Sequence, residues 1–75
     1  MVHQIPEDDL AFLREVDRLG RSGMSQARIA RSLGLKSAGA LQHRVNRTGC
    51  RLTPVNEVRF TVGGQRLADL PEVAP

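Results

Sequence analysis

The sequence predicts a mainly α chain, three short helices followed by one small β-hairpin. Three observations predict it. Between residues 6 and 47, apolar residues recur at helical spacing in three segments, each closed by glycine. From Glu57 the period drops to alternation, with Val58, Phe60 and Val62 on one face and charged or hydroxyl residues on the other. Between the two regimes stands Thr53-Pro54-Val55-Asn56, in which Pro and Asn supply the dihedral restrictions of a turn. Seventy-five residues suit one small domain with a thin core. Its stability without a staple or partner is on the order of 3–5 kcal/mol.

Residues 1–5 read as a short N-terminal arm. Pro6 opens the first helix, because a first-turn residue has no need of its N–H. Glu7, Asp8 and Asp9 then lie at the positive end of the helix dipole, where acids stabilise it. Leu10, Leu13 and Val16 form the apolar stripe, widened by Phe12 and Leu19. Arg14, Glu15, Asp17, Arg18 and Arg21 fall largely outside it, so helix 1 spans 6–21. Gly20 and Gly23 bracket its end, and Gly23 is the better left-handed cap. Ser25 is an N-cap, since its hydroxyl can accept from the free N–H groups of the next turn. Helix 2 covers 26–33, with Ile29, Ala30 and Leu33 inward and Arg28 and Arg31 outward. Gly34 stops it, and Leu35 plugs the core beneath the turn.

Ser37 caps helix 3, which runs from Ala38 to Arg47 with Leu41 and Val45 one turn apart on its inner face. Gly49 ends it. Cys50-Arg51-Leu52 is a short strand, and 57–62 is its half-buried partner. Gly63-Gly64 breaks the hairpin. The domain is therefore 6–62, and 63–75, with Pro71 and Pro75, reads as a tail or a linker. The 75 residues are compatible with a complete small protein or with an excised domain.

Charge is strongly segregated along the chain. From Arg18 to Asn56 there is no Asp or Glu, against seven Arg and Lys36. Residues 1–17 carry five acids against Arg14 alone, and residues 57–75 carry three acids against two Arg. The formal total is only +3, but a one-signed block on a folded surface attracts polyanions. Ten of the eleven basic residues are Arg, which suits planar bidentate contact with phosphate and guanine, although codon bias gives the same composition. Phe12 and Phe60 are the only aromatic residues, which argues against base-stacking platforms for single strands. A single cysteine excludes an internal disulfide, and His3 and His43 have no zinc-like neighbours. No apolar run approaches the ~20 residues of a membrane span, and the N-terminus has no secretion-signal pattern. A cytoplasmic setting is expected. So are the absence of enzymatic activity, cofactor and metal: no paired carboxylates, nucleophile–base pair, phosphate-cradling loop or metal cluster stands in the sequence.

The order Ser25, Ala30, Gly34, Leu35, Ser37, Leu41, Val45 follows the physical needs of a helix-turn-helix. A small residue sits where two helices touch, a glycine makes the tight turn, and an apolar residue closes the corner. The second helix is anchored on one side only, which leaves its other side for a major groove. Gly34-Leu35-Lys36-Ser37-Ala38-Gly39-Ala40-Leu41-Gln42-His43-Arg44-Val45 resembles the turn and recognition helix of the SOS-repressor, LexA-type winged helix-turn-helix. The hairpin at 50–62 is similar to that family's wing. The likeness covers roughly residues 7–62, and 25–45 is its motif-like part. Two departures are a shorter link into helix 2 and a helix 3 about one turn shorter. The 75 residues hold no counterpart of the family's self-cleaving protease domain. The resemblance thus implies a winged helix and DNA binding, not SOS control or autoproteolysis.

Contacts carried over from that family fall on Ser37, Gly39, Ala40, Gln42 and His43. Periodicity by itself turns Gly39, Gln42, His43 and Asn46 outward. Gln and Asn can each hold adenine by two hydrogen bonds. The small run Ala38-Gly39-Ala40 lets the helix start approach DNA closely; slack at a helix start accounts equally for Gly39. Base contacts are thus expected at Ser37, Ala38, Gly39, Ala40, Gln42, His43 and Asn46. Phosphate contacts, which set register without reading sequence, are expected at Ser25, Gln26, Arg28, Lys36, Arg44, Arg47, Arg51 and Arg59.

Double-stranded DNA is the partner expected on this reading, bound by a transcriptional regulator or by the DNA-binding module of a larger protein. One such copy contacts few phosphates, so a homodimer on paired half-sites or a tether to another domain would sharpen binding. The alternative is a winged helix that docks on protein without DNA, with Leu67, Leu70 and Val73 of the tail as the docking element.

Overall fold

A computed structural model of the chain describes residues 5–69. Its elements in order are α1 (Glu7–Arg21), α2 (Gln26–Ser32), α3 (Ala38–Arg47), β1 (Cys50–Leu52), β2 (Val58–Phe60) and a 3₁₀ turn over Leu67–Asp69. The expected architecture stands: three helices and a two-stranded antiparallel hairpin, arranged as a helix-turn-helix plus wing.

Pro6 is the N-cap of α1, its carbonyl accepting the first helical bond from Leu10 N–H at 2.9 Å. Ser25 and Ser37 cap α2 and α3 as expected, each in extended conformation, with its hydroxyl accepting from Arg28 N–H and Ala40 N–H respectively. Each such cap stabilises its helix by ~1 kcal/mol. The turn between α2 and α3 closes in a double bond pattern. Leu35 N–H reaches back to Ala30 C=O at 2.8 Å and Gly34 N–H to Arg31 C=O at 3.1 Å, with Gly34 at φ +76°. This arrangement satisfies the last carbonyls of a helix and needs a left-handed residue, here glycine. Leu35 is half-buried against the core at that corner.

Leu13, Val16 and Leu19 of α1 meet Ile29 and Ala30 of α2, Leu41 and Val45 of α3, and Cys50, Val58 and Phe60 of the hairpin in one core. The hairpin pairs Cys50 with Phe60, Arg51 with Arg59 and Leu52 with Val58. Its turn is tied by Thr53: Thr53 N–H donates to Glu57 C=O, Glu57 N–H to Thr53 Oγ1, and Asn56 N–H to Thr53 C=O. Asn56 takes φ +62° and its side chain donates to Met24 C=O at 3.1 Å, which fastens the turn to the link between α1 and α2.

Three expectations are corrected. β2 stops at Phe60, and Val62, expected inward, is 86% exposed. The reason is the length of β1: it starts at Cys50, opposite Phe60, and only Gly49 C=O remains to receive Thr61 N–H. The chain then turns at Thr61–Gly63. Asp17, placed outside the apolar stripe, is buried, accepting from Val58 N–H at 3.0 Å and pairing with Arg21 at 2.9 Å. The segment after residue 62 is not wholly a tail. Gly63 and Gly64, both at positive φ, turn the chain back, Arg66 bridges to Arg59 along the free edge of β2, and Leu67 is 1% exposed in the core. The domain thus continues through the 3₁₀ turn. Leu67 is unavailable for docking, and Leu70 and Val73 lie outside the described residues, as does most of the arm expected at 1–5.

Candidate nucleic-acid interface

α3 buries Leu41 and Val45 and packs on α2 and β1, which fixes the face it turns outward. On that face Gly39, Gln42, His43, Asn46 and Arg47 are exposed. Ala38 and Ala40, expected beside them at the helix start, are half-buried. Ser37 is exposed, but its hydroxyl is already the cap acceptor for Ala40 N–H at 3.1 Å. The outward face therefore offers amide, imidazole and guanidinium groups with no acid among them. All of these can hydrogen-bond base edges or phosphate.

Apart from Arg14, which stands on α1 with no carboxylate within ion-pair distance among the described residues, the cations fall into two sets. Arg18 pairs with Glu15 at 2.6 Å, and Arg21 with Asp17 at 2.9 Å and Glu57 at 3.4 Å. Arg59 pairs with Glu57 at 2.9 Å and also donates to Gly64 C=O at 2.8 Å. Arg66 pairs with Asp69 at 2.9 Å and lies 3.9 Å from Glu57. These four guanidiniums are held by carboxylates of α1, the hairpin and the 3₁₀ turn. By contrast Arg28, Arg31, Lys36, Arg44, Arg47 and Arg51 have no carboxylate within ion-pair distance among the described residues. They occupy α2, the turn, α3 and β1. An unneutralised set of this kind keeps its field, while the paired set largely cancels its own.

Of the expected phosphate contacts, Arg28 lines a shallow depression on α2 with Ser25, Ala27, Ser32 and Arg31, the last not among those expected. Lys36 stands exposed in the turn, and Arg51 is exposed on β1. Arg47 and Arg44 share a groove with Asp9 and Thr48 at the C-terminal end of α3. Arg44 lies over the ring of Phe12, 4.1 Å from its centroid, so α1 orients this side chain through a cation–π contact. Arg59 is the exception, because the hairpin ties it inward. Ser25 acts as a helix cap, and the amide oxygen of Gln26 accepts from Gln42 Nε2 at 2.5 Å. Sequence reasoning missed the Phe12–Arg44 and Gln26–Gln42 pairs. Phe12 reads as one more member of the apolar stripe, and two polar residues sixteen positions apart give no periodic signal.

Hydrogen bonding to Arg18 lowers the Glu15 carboxyl below its ordinary value, and the bond to Asp69 raises Arg66 further. Burial pushes the Cys50 thiol up, partly offset by a hydrogen bond with Thr48, so Cys50 is held neutral as a small core residue. Among the described residues no group of three His, Cys, Asp or Glu could hold a metal ion. Among the same residues no helix is long and apolar enough to cross a membrane. Compared with models of known families, with curated proteins and with solved structures, the chain matches none.

Proposed function

We propose that this chain binds double-stranded DNA, with α3 in the major groove and the β1–β2 hairpin against the backbone, as a transcriptional regulator or as the DNA-binding module of a larger protein. The observation that carries this reading is the division of the cations. Six of the seven basic residues without an ion pair among the described residues belong to α2, the turn, α3 and β1, which carry no acid, whereas Arg14 and the paired ones belong to segments that do. The kinship with LexA-type repressor domains belongs to the same proposal, and the order of helices and hairpin supports it. On this reading α3 meets base edges through Gln42, His43 and Asn46. Arg28, Arg31, Lys36, Arg44, Arg47 and Arg51 meet phosphates. A second copy, or a tethered DNA-binding unit, supplies the remaining specificity. The protein-docking alternative is weakened by the burial of Leu67, one of its three anchor residues.

Two substitutions separate reading from anchoring. Gln42→Ala is expected to flatten preference at one base pair by roughly tenfold, with little change on random duplex. Arg47→Ala is expected to weaken every duplex alike and to reduce the salt slope by about 1. Fluorescence anisotropy on a selected and a random duplex checks both. Equal losses on the two duplexes for both variants would contradict the division of roles.

A further inference from the structure

Gln42 of α3 donates from Nε2 to Oε1 of Gln26, the first residue of α2, at 2.5 Å. The bond exists because α2 and α3 pack directly on each other. Gln26 is half-buried and follows the Ser25 cap, whereas Gln42 is exposed. An exposed glutamine without a partner samples several rotamers and both orientations of its amide, and must give up that freedom on binding. Here one N–H of Gln42 is committed to Gln26. Its second N–H and its Oε1 remain as an adjacent donor and acceptor. In the major groove adenine presents an acceptor at N7 beside a donor at N6, the complementary pattern, while guanine presents acceptors at both N7 and O6. An amide held with its oxygen toward the groove matches the first and repels the second.

Resting on the DNA-binding reading above, we propose that Gln26 is a positioning residue: it fixes the amide of Gln42 so that this residue reads adenine. The Nε2 of Gln26 has no partner among the described residues, so the same side chain can donate to a phosphate beside the base that Gln42 reads.

The test uses the whole chain as wild type, Gln26→Met, Gln26→Glu and Gln42→Ala. A site is selected from randomised duplex, and affinities are compared on duplexes that differ only by A·T or G·C at the position Gln42→Ala affects. Wild type is expected to favour A·T by about tenfold or more. Gln26→Met loses most of that preference while keeping its thermal midpoint and salt slope. Gln26→Glu keeps an acceptor at the same place, so it retains the preference while its added negative charge weakens binding to all duplexes. A pair that only fastened α2 to α3 would shift the midpoint and leave the preference intact. Unchanged preference in folded Gln26→Met overturns the proposal. So does loss of preference in folded Gln26→Glu, which also decides the matter if the Met variant melts. A wild-type preference that Gln42→Ala leaves untouched overturns it as well. Absence of binding to any duplex by wild type is a different failure, that of the DNA-binding reading, and it removes this proposal with it.

Discussion

Asp17→Ala is expected to lower stability by roughly 2–3 kcal/mol, the cost of stranding a buried N–H together with a lost ion pair. For a domain of this size that corresponds to a fall of roughly 10–20 °C in the thermal midpoint. Asp17 is 6% exposed and its Oδ1 receives Val58 N–H at 3.0 Å, forty-one positions away. Alanine removes the acceptor and leaves the N–H without a protein partner. The ion pair with Arg21 contributes less, since that guanidinium is about half exposed and solvent screens the pair. Asp17→Asn retains an acceptor oxygen and should cost less than half as much. Thermal and urea unfolding followed by far-ultraviolet circular dichroism measure both. An alanine variant within about 0.5 kcal/mol of wild type, the spread of an ordinary surface substitution, would contradict this account.

Gly20→Ala is expected to destabilise by about 2 kcal/mol or more, within the range of overpacked cores. Helix propensity alone predicts the reverse, a gain of up to ~1 kcal/mol for replacing glycine inside a helix. Sterics decide the sign. A Cβ at Gly20 would run into the carbonyl oxygen, carbonyl carbon and Cβ of Asn56. Asn56 cannot retreat easily, because its N–H is bonded to Thr53 C=O at 2.8 Å and its side chain to Met24 C=O at 3.1 Å. Gly39→Ala is the matched control. A Cβ there meets only Ser37 Oγ at 3.6 Å, an ordinary contact, so propensity should prevail and the midpoint should rise. Parallel melts of the two variants moving in the same direction would sink the close-approach argument at Gly20.

These two sites also mark where sequence stops being informative. Local signals located the helices closely: 26–33 against the observed 26–32, 38–47 at both ends, and both serine caps. Those features depend on neighbours a few residues apart, and so does the first strand at Cys50–Leu52. What failed depends on distant partners. Asp17 looks like a solvated charge until Val58 N–H is brought beside it. Gly20 reads as one bracket of a helix end until Asn56 docks against it. Leu67 looks like part of a tail until Gly63-Gly64 folds it into the core. The candidate interface divides in the same way. The exposed face of α3 follows from the spacing of Leu41 and Val45. The pairing of the cations is local as well, since each paired guanidinium has a carboxylate within four positions, Glu15 for Arg18, Asp17 for Arg21, Glu57 for Arg59 and Asp69 for Arg66. The contacts of Phe12 with Arg44 and of Gln26 with Gln42 are tertiary, and no local pattern announces them.

The central claim is that the unpaired cations form a phosphate-binding surface. The most direct measurement is affinity for a random duplex of about 20 base pairs at salt between roughly 50 and 200 mM, by fluorescence anisotropy. With about 4–6 phosphates contacted, the slope of log K against log salt should be about −4 to −5, a loss of roughly 10²–10³-fold across that range. No binding at the lowest salt, or a slope near zero, would contradict it.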